Sequence, residues 1–265
     1  MTQITPKIPV MILCGGMGTR LREETEYLPK PMVPIGGRPI LWHIMKGFAA
    51  YGCVDFVLCL GYKGEKIREY FLNYHAINTD FTIDLGRNGG LQFHDGHHES
   101  GWRVTLADTG IDSMTGARVA RAARYISGDR FFLTYGDGVA NVNIADLLRH
   151  HEASGAVGTV TGITPSSRFG EIVADDHRVR SFSEKPRMHE GLINGGFFLF
   201  ERKFFDYVSV DAGCILEREP LERLVVDGGL SVFKHQGFWQ CMDTYRDLHQ
   251  LNQLWEAGAA AWKTW

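Results

Sequence analysis

The residues best suited to chemistry are a glycine turn, one lysine and two aspartates. The turn is Cys14-Gly15-Gly16-Met17-Gly18-Thr19-Arg20-Leu21. Closely spaced glycines let a backbone bend sharply and approach a ligand. Successive N–H groups in such a turn form an anion nest, and Arg20 adds a permanent charge with a fork of donors. Together they suit a polyphosphate. Two other phosphate loops are excluded. A Walker A loop, Gly-x-x-x-x-Gly-Lys-Ser/Thr, is absent. The dinucleotide fingerprint Gly-x-Gly-x-x-Gly fails because Leu21 stands at its last position. The bland alternative is a tight turn that binds nothing.

Lys30 sits between Pro29 and Pro31. The prolines fix φ on both sides, so the lysine loses less freedom when it meets a phosphate. Asp137, flanked by Gly136 and Gly138, follows an apolar run over 131–135. That places it at a strand's carboxyl end, where open α/β sheets bind ligands. An accessible carboxylate there suits Mg²⁺, which takes few protein carboxylates plus phosphate oxygens. Asp243 precedes the last helical pattern and could equally be its N-cap. Downstream, Glu184 and Asn194 offer groups that sugar hydroxyls need, and Lys185 could hold a second phosphate. A charged surface turn and a hairpin turn are the ordinary readings of those two segments. His94, His97 and His98 lie in a polar loop without a matching cysteine or carboxylate pattern, which argues against a metal centre there.

The elements that must position these groups follow from periodicity. The short apolar run at 8–13 reads as a buried parallel strand. Ile40, Leu41, Ile44, Met45 and Phe48 fall at helical spacing, with Pro39 at the first helical position and Gly52 past the end. A strand is expected at Asp55–Leu60 and a helix at Lys63–Tyr74. Residues 75–115 read as an insertion holding short strands at Phe81–Leu85 and Val104–Asp108. Gly116–Tyr125 suits a helix and Phe131–Tyr135 a strand. Asn143 is a candidate N-cap for a helix to Ser154. Strands are then expected near 157–163, 170–173, 179–183, 193–200 and 230–235, and a closing helix over 244–256. A strand–helix half thus gives way to a strand-rich half. This is an α/β chain, with a mostly parallel nucleotide-binding part over 8–155 and a mixed-sheet part over 156–265 that could hold a second substrate.

Composition agrees. A chain of 265 residues fits one domain with insertions. A net charge of −3 argues against non-specific nucleic-acid binding. The five cysteines are scattered and form no Cys-x-x-Cys pair, so free thiols in a reducing compartment are expected. The apolar run at 10–13 is too short for a signal peptide, and nothing approaches a membrane span of roughly 18 apolar residues. A cytoplasmic protein is the expectation.

The motifs also occur together, in one order. The Gly-Gly-x-Gly-Thr-Arg-Leu loop, Lys30-Pro31-Met32, Gly136-Asp137, Glu184-Lys185-Pro186 and Asn194-Gly195-Gly196 resemble the sugar-nucleotide pyrophosphorylases, or nucleotidyltransferases, over the whole chain. Ser113-Met114-Thr115-Gly116 and Gly237-Phe238-Trp239-Gln240 resemble the branch that acts on glucose 1-phosphate with CTP. The resemblance implies a Rossmann-like nucleotidyltransferase fold in a single domain, Mg²⁺ as cofactor, and a homo-oligomer, a trimer or hexamer. It implies that Leu13, Cys14, Gly15, Gly16, Met17, Gly18, Thr19 and Arg20 cradle CTP. Lys30 would contact phosphate, and Gly136, Ser113 and Arg118 would lie along the nucleotide, the last two with a neighbouring subunit's site as one option. Asp137 and Asp243 would bind Mg²⁺. Gly170, Glu184, Lys185, Asn194 and Gly195 would face the sugar phosphate. Departures exist, among them Leu28 where close relatives often have lysine and Cys241 where the family usually has proline, and none is expected to touch the phosphate or metal residues. UTP or dTTP in place of CTP, and a non-catalytic sugar-nucleotide sensor, are the competing readings. The sensor would be expected to lack Arg20, Lys30 or an aspartate, and all are present.

Overall fold

Seven strands pair into one central sheet: Val10–Leu13 (β1), Asp55–Leu60 (β2), Arg103–Asp108 (β3), Arg130–Tyr135 (β4), Gly158–Ile163 (β5), Ile193–Glu201 (β6) and Leu230–His235 (β7). Their order is β7-β5-β6-β4-β1-β2-β3. The computed structural model describes residues 3–4, 7–18, 21–86, 90–99, 101–164, 171–175, 178–183 and 191–265. All neighbouring strands run parallel except β6, which is antiparallel to both β4 and β5.

The central strands β1, β2 and β4 are buried on both faces, which is why they read as continuous apolar runs. Side chains alternate along each strand. Val10 and Ile12 of β1 join one core layer, and Met11 and Leu13 join the other. Phe132 and Leu199 fall in the first layer, Phe131 and Phe200 in the second. Helices Ile40–Ala49 (α1), Gly64–Leu72 (α2), Ile144–Ser154 (α4) and Tyr245–Glu256 (α6) close the first layer through residues such as Met45, Ile67, Leu147 and Leu251. Thr115–Ala122 (α3) and Glu219–Val226 (α5) close the second through Val119 and Leu224.

Local chemistry fixes several ends. Asn143 caps α4, its side chain accepting from the N–H groups of Ala145 and Asp146. Gly155, in the left-handed region at φ 63°, ends that helix. Pro39 is the N-cap of α1 rather than its first helical residue. The C-terminal tail folds back over α1, where Trp262 is buried against His43.

Two expectations need correction. Val104–Asp108 is no piece of an insertion: β3 is a full edge strand of the main sheet, parallel to β2. Only Ala107 of its six residues is buried, so its pattern lacks the signature of a core strand. The inserted part that remains is a small antiparallel hairpin, Phe81–Ile83 with Leu91–Phe93, exposed along its length. The helix expected at Lys63–Tyr74 breaks at Asn73 into α2 and a short helix Tyr74–Asn78.

Candidate active site

The central strands order as β3-β2-β1-β4, so chain direction across the sheet reverses between β1 and β4. Crevices at the carboxyl ends of such a switch point are where open α/β sheets bind ligands. The glycine turn leaves β1 there, and Asp137 leaves β4 there. Gly136 N–H donates to the Leu13 carbonyl at 3.0 Å and ties the two exits together. A Cβ at Gly136 would meet that carbonyl at 2.9 Å and the Pro31 ring at 3.0 Å. Only glycine lets the strand pass so close beneath the Lys30 segment.

The turn itself is braced from behind. Gly15 is buried while Gly16 and Met17 are exposed. The Tyr62 N–H donates to the Gly15 carbonyl and the Leu21 N–H to the Gly18 carbonyl. Among the described residues, none accepts a hydrogen bond from the N–H of Gly16, Met17 or Gly18. Arg118, on α3, is buried behind the turn. Its guanidinium donates to the carbonyls of Leu60, Gly110, Gly15 and Ile111 and to the Thr109 hydroxyl, at 2.8 to 3.1 Å. A Cβ at Gly15 would meet this guanidinium at 2.2 Å. Ser113 is buried as well, donating to the Thr109 carbonyl and accepting from Arg121. Both side chains are thus engaged with their own chain.

Lys30 opens a single 3-10 turn, Lys30–Met32, held by Pro29 before it. Its ammonium donates to Asp137 Oδ2 at 2.7 Å and to Asp243 Oδ1 at 2.6 Å. The three residues stand 107 and 213 positions apart in sequence. Asp243 is not the cap of α6. Thr244 is, in a capping box with Asp247, which leaves the Asp243 carboxylate directed at Lys30. Burial works against the ammonium, but Asp137 and Asp243 outweigh it and hold Lys30 charged well above the usual lysine range. Two unpaired carboxylates about 4 Å apart would repel by roughly 4 kcal/mol at an effective dielectric near 20. The lysine offsets that repulsion.

A cleft opens beside the cluster, lined by Tyr135, Asp137, Asn194, Gly195, Trp239 and Cys241. Asn194 lies within β6 and not in a hairpin turn. Its amide donates to the Tyr135 hydroxyl at 3.3 Å, and that hydroxyl donates to Glu217. The Trp239 indole N–H donates to the Gly195 carbonyl at 2.7 Å. Trp239 belonged to a motif of the resemblance, but neither it nor Tyr135 was given a place at the site, and Glu217 was not singled out at all. Tyr135 and Trp239 reach the cleft on paired strands, and Glu217 meets the Tyr135 hydroxyl from the turn before α5; no local spacing announces any of the three. Cys14 is buried beside Asp137. Burial, first of all, pushes its thiol well above the usual cysteine range, and does the same to Cys241. Neither is a primed nucleophile.

The structure therefore brings Leu13, the glycine turn, Lys30, Gly136, Asp137 and Asp243 to one place, with Asn194 and Gly195 on the adjoining cleft. Thr19, Arg20, Gly170, Glu184 and Lys185 lie outside the described residues. His97 faces His75, ring nitrogen to ring nitrogen, at 3.4 Å. Among the described residues, the one group of three or more metal-ligating side chains is Asp137, Cys241 and Asp243.

Residues 9–261 match the nucleotidyl transferase family. The chain belongs to that family. It is 49% identical over 256 residues to a glucose-1-phosphate cytidylyltransferase of Salmonella typhi, covering 96% of this chain and 98% of that one. The glucose-1-phosphate cytidylyltransferase of Salmonella typhimurium matches to the same extent. Among solved structures, HddC from Yersinia pseudotuberculosis superposes with a TM-score of 0.67 at 22% identity, covering 94% of this chain and 99% of that one. The last likeness shows that the fold is shared.

A divalent metal is implied by the family, and the donor set fits one. Asp137 and Asp243 each give Lys30 one oxygen, and their side chains are 29% and 25% exposed. Together with Cys241 they place one ligand atom each within 4.8 Å of one another. No helix among the described residues is long and apolar enough to cross a membrane.

Proposed function

We propose that the protein transfers a cytidylyl group from CTP to α-D-glucose 1-phosphate, giving CDP-glucose and pyrophosphate. One observation carries this reading: the Lys30 ammonium joins the Asp137 and Asp243 carboxylates at the switch point beside the glycine turn. The identity with the cytidylyltransferases over nearly the whole chain supports the choice of base and sugar.

In this reading the half over 8–155 binds the nucleotide and the half over 156–265 binds the sugar phosphate. The N–H groups of Gly16, Met17 and Gly18, with Arg20, hold the triphosphate. A phosphate oxygen of the sugar attacks the α-phosphorus in line. One P–O bond forms, the α–β bridging P–O bond breaks, and pyrophosphate leaves with its electron pair. Two polyanions must meet, so positive charge at the meeting point is the main requirement. Lys30 does not supply it alone, because Asp137 and Asp243 take up its charge. It contributes with Arg20, Lys185 and a divalent cation, from a side chain already fixed by two hydrogen bonds, which limits the reorganisation at the moment of reaction. Mg²⁺ held by Asp137 and Asp243 would add charge stabilisation and orientation of the transferring group. Lys185, Glu184 and Gly170 would serve the sugar phosphate alongside Asn194 and Gly195. No enzyme nucleophile is needed, because the substrate brings an ionised one, and the buried Cys14 is consistent with that. The protein works in the cytoplasm, where nucleoside triphosphates are available, as a homo-oligomer.

The test is direct. The protein is incubated with glucose 1-phosphate, Mg²⁺ and each nucleoside triphosphate in turn, and pyrophosphate is measured. CTP should give the fastest release. Equal release with UTP or dTTP would overturn the base assignment, and no release with any would overturn the reaction.

A further inference from the structure

The strand segment Trp239–Cys241 pairs antiparallel with Gly138–Ala140, with Cys241 opposite Gly138. The next residue continues the tie: the Met242 N–H donates to the Asp137 carbonyl at 2.8 Å. In extended chain, residues two apart point the same way. Met242 is fully buried in the core, so Cys241 and Asp243 turn together toward the cleft, where Asp137 meets them from the other strand. The register thus delivers two carboxylates and one sulfur to a single place, with one ligand atom from each within 4.8 Å of the others.

That donor set is not one a purely magnesium site needs. Mg²⁺ is a hard cation that takes oxygen ligands, while sulfur selects softer metals. An ion about 2.0–2.2 Å from two carboxylate oxygens and about 2.3 Å from a thiolate sulfur spans donor separations of roughly 3 to 4.5 Å, within the reach seen here. We infer that Cys241 is a third ligand at this centre and that the protein binds thiophilic divalent cations, of the Cd²⁺, Zn²⁺ and Co²⁺ class, through Asp137, Asp243 and Cys241. Binding displaces the thiol proton to solvent and forms a metal–sulfur bond, with no change of oxidation state. Such ions compete with Mg²⁺ for the same carboxylates. The inference rests on the reading of Asp137 and Asp243 as the metal-holding pair.

The experiment titrates the full-length protein with Cd²⁺ under anaerobic conditions and follows the ultraviolet thiolate-to-metal charge-transfer absorbance. One band growing to one equivalent per chain is expected in the wild type. Cys241→Ser and Cys241→Ala, each checked by circular dichroism, should lose the band and bind Cd²⁺ at least about tenfold more weakly. Cys14, Cys53, Cys59 and Cys214 remain in both variants as internal controls. No band in the wild type, or a band that survives both substitutions, would overturn the inference. Asp137→Asn and Asp243→Asn, assayed with Mg²⁺ alone, separate the two readings. If they lose turnover while the wild type shows no band, the sulfur ligand alone is wrong. If they keep turnover, the two-carboxylate centre is wrong and the sulfur ligand falls with it.

Discussion

Two buried cations flank the glycine turn, and they do opposite work. Arg118 lies behind it and spends its donors on four backbone carbonyls and a hydroxyl of its own chain. Lys30 lies in front and spends its donors on two carboxylates drawn from distant parts of the sequence. Neutral acceptors need a donor array in a fixed planar fork, which only arginine provides. Paired carboxylates need a compact charge, which lysine provides. The first arrangement fixes a backbone shape. The second leaves a charged centre, partly exposed, where phosphates and a metal can enter. His43 supplies a third case, a buried base with no anion beside it. Burial pushes its imidazole down to about 4, against the hydrogen bond to the Ile35 carbonyl.

Arg118→Ala should have the largest effect. It removes five hydrogen bonds from a buried guanidinium at once, at a cost on the order of 4 kcal/mol or more in stability. Urea denaturation reads it directly. Arg118→Lys should recover little, because an ammonium cannot span the same acceptors. A loss below about 1 kcal/mol would mean the turn holds without the guanidinium, and the contrast with Lys30 would collapse.

His43 sharpens the same contrast by pH. Its folded pKa lies below the ordinary value of 6.5, so the unfolded chain takes up the proton first. The stabilisation from keeping it neutral is complete above about pH 6.5 and is lost as pH falls toward 4. Its full size is about 3 kcal/mol. The Trp262 indole donates to the Nδ1 of His43 at 3.4 Å, which requires that nitrogen unprotonated. Denaturation at pH 7 and pH 4.5 should show a smaller acid loss in His43→Gln than in the wild type. Equal losses would assign the acid sensitivity elsewhere.

Lys30→Ala tests the front of the turn. Turnover should fall by about 100-fold, about 2.7 kcal/mol of transition-state stabilisation, while the far-ultraviolet circular dichroism stays native. Unchanged kinetics would reduce Lys30 to a structural tie between two acidic residues.

These contrasts also explain what was legible in the sequence. The strand at Asp55–Leu60 and the Asn143 cap were readable because one local pattern fixes each. Lys30 and Asp137 stood out because proline and glycine flank them, whereas Asp243 has neither beside it and was placed only by the family resemblance. Arg118 was placed along the nucleotide by the family resemblance alone, which says nothing of what its guanidinium touches. Only the bends at Gly15 and Gly61, where a Cβ would strike its guanidinium, show that it is walled in. β3 was misplaced because an edge strand buries so little of itself. The place of Tyr135, Trp239 and the sulfur of Cys241 at the site was beyond reach for a different reason. Their meaning depends on which strands pair, and pairing is a property of the whole sheet.

The smallest expected effect divides the two aspartates from the lysine they share. Asp137→Asn and Asp243→Asn each keep the side-chain shape and one carbonyl oxygen able to accept from Lys30, so the contact survives at reduced strength. What each removes is one negative charge that a divalent ion needs. The expected result is a drop in kcat of at least about tenfold, near 1.4 kcal/mol, together with a higher Mg²⁺ concentration at half-maximal rate. A structural role for the carboxylates predicts something else: lower stability with an unaltered Mg²⁺ dependence. Melting temperature and the Mg²⁺ titration, measured on the same preparations, separate the two. If the Mg²⁺ dependence stays put in both variants, Lys30 and its carboxylates are a brace like Arg118, and the centre of the reaction lies elsewhere along the cleft.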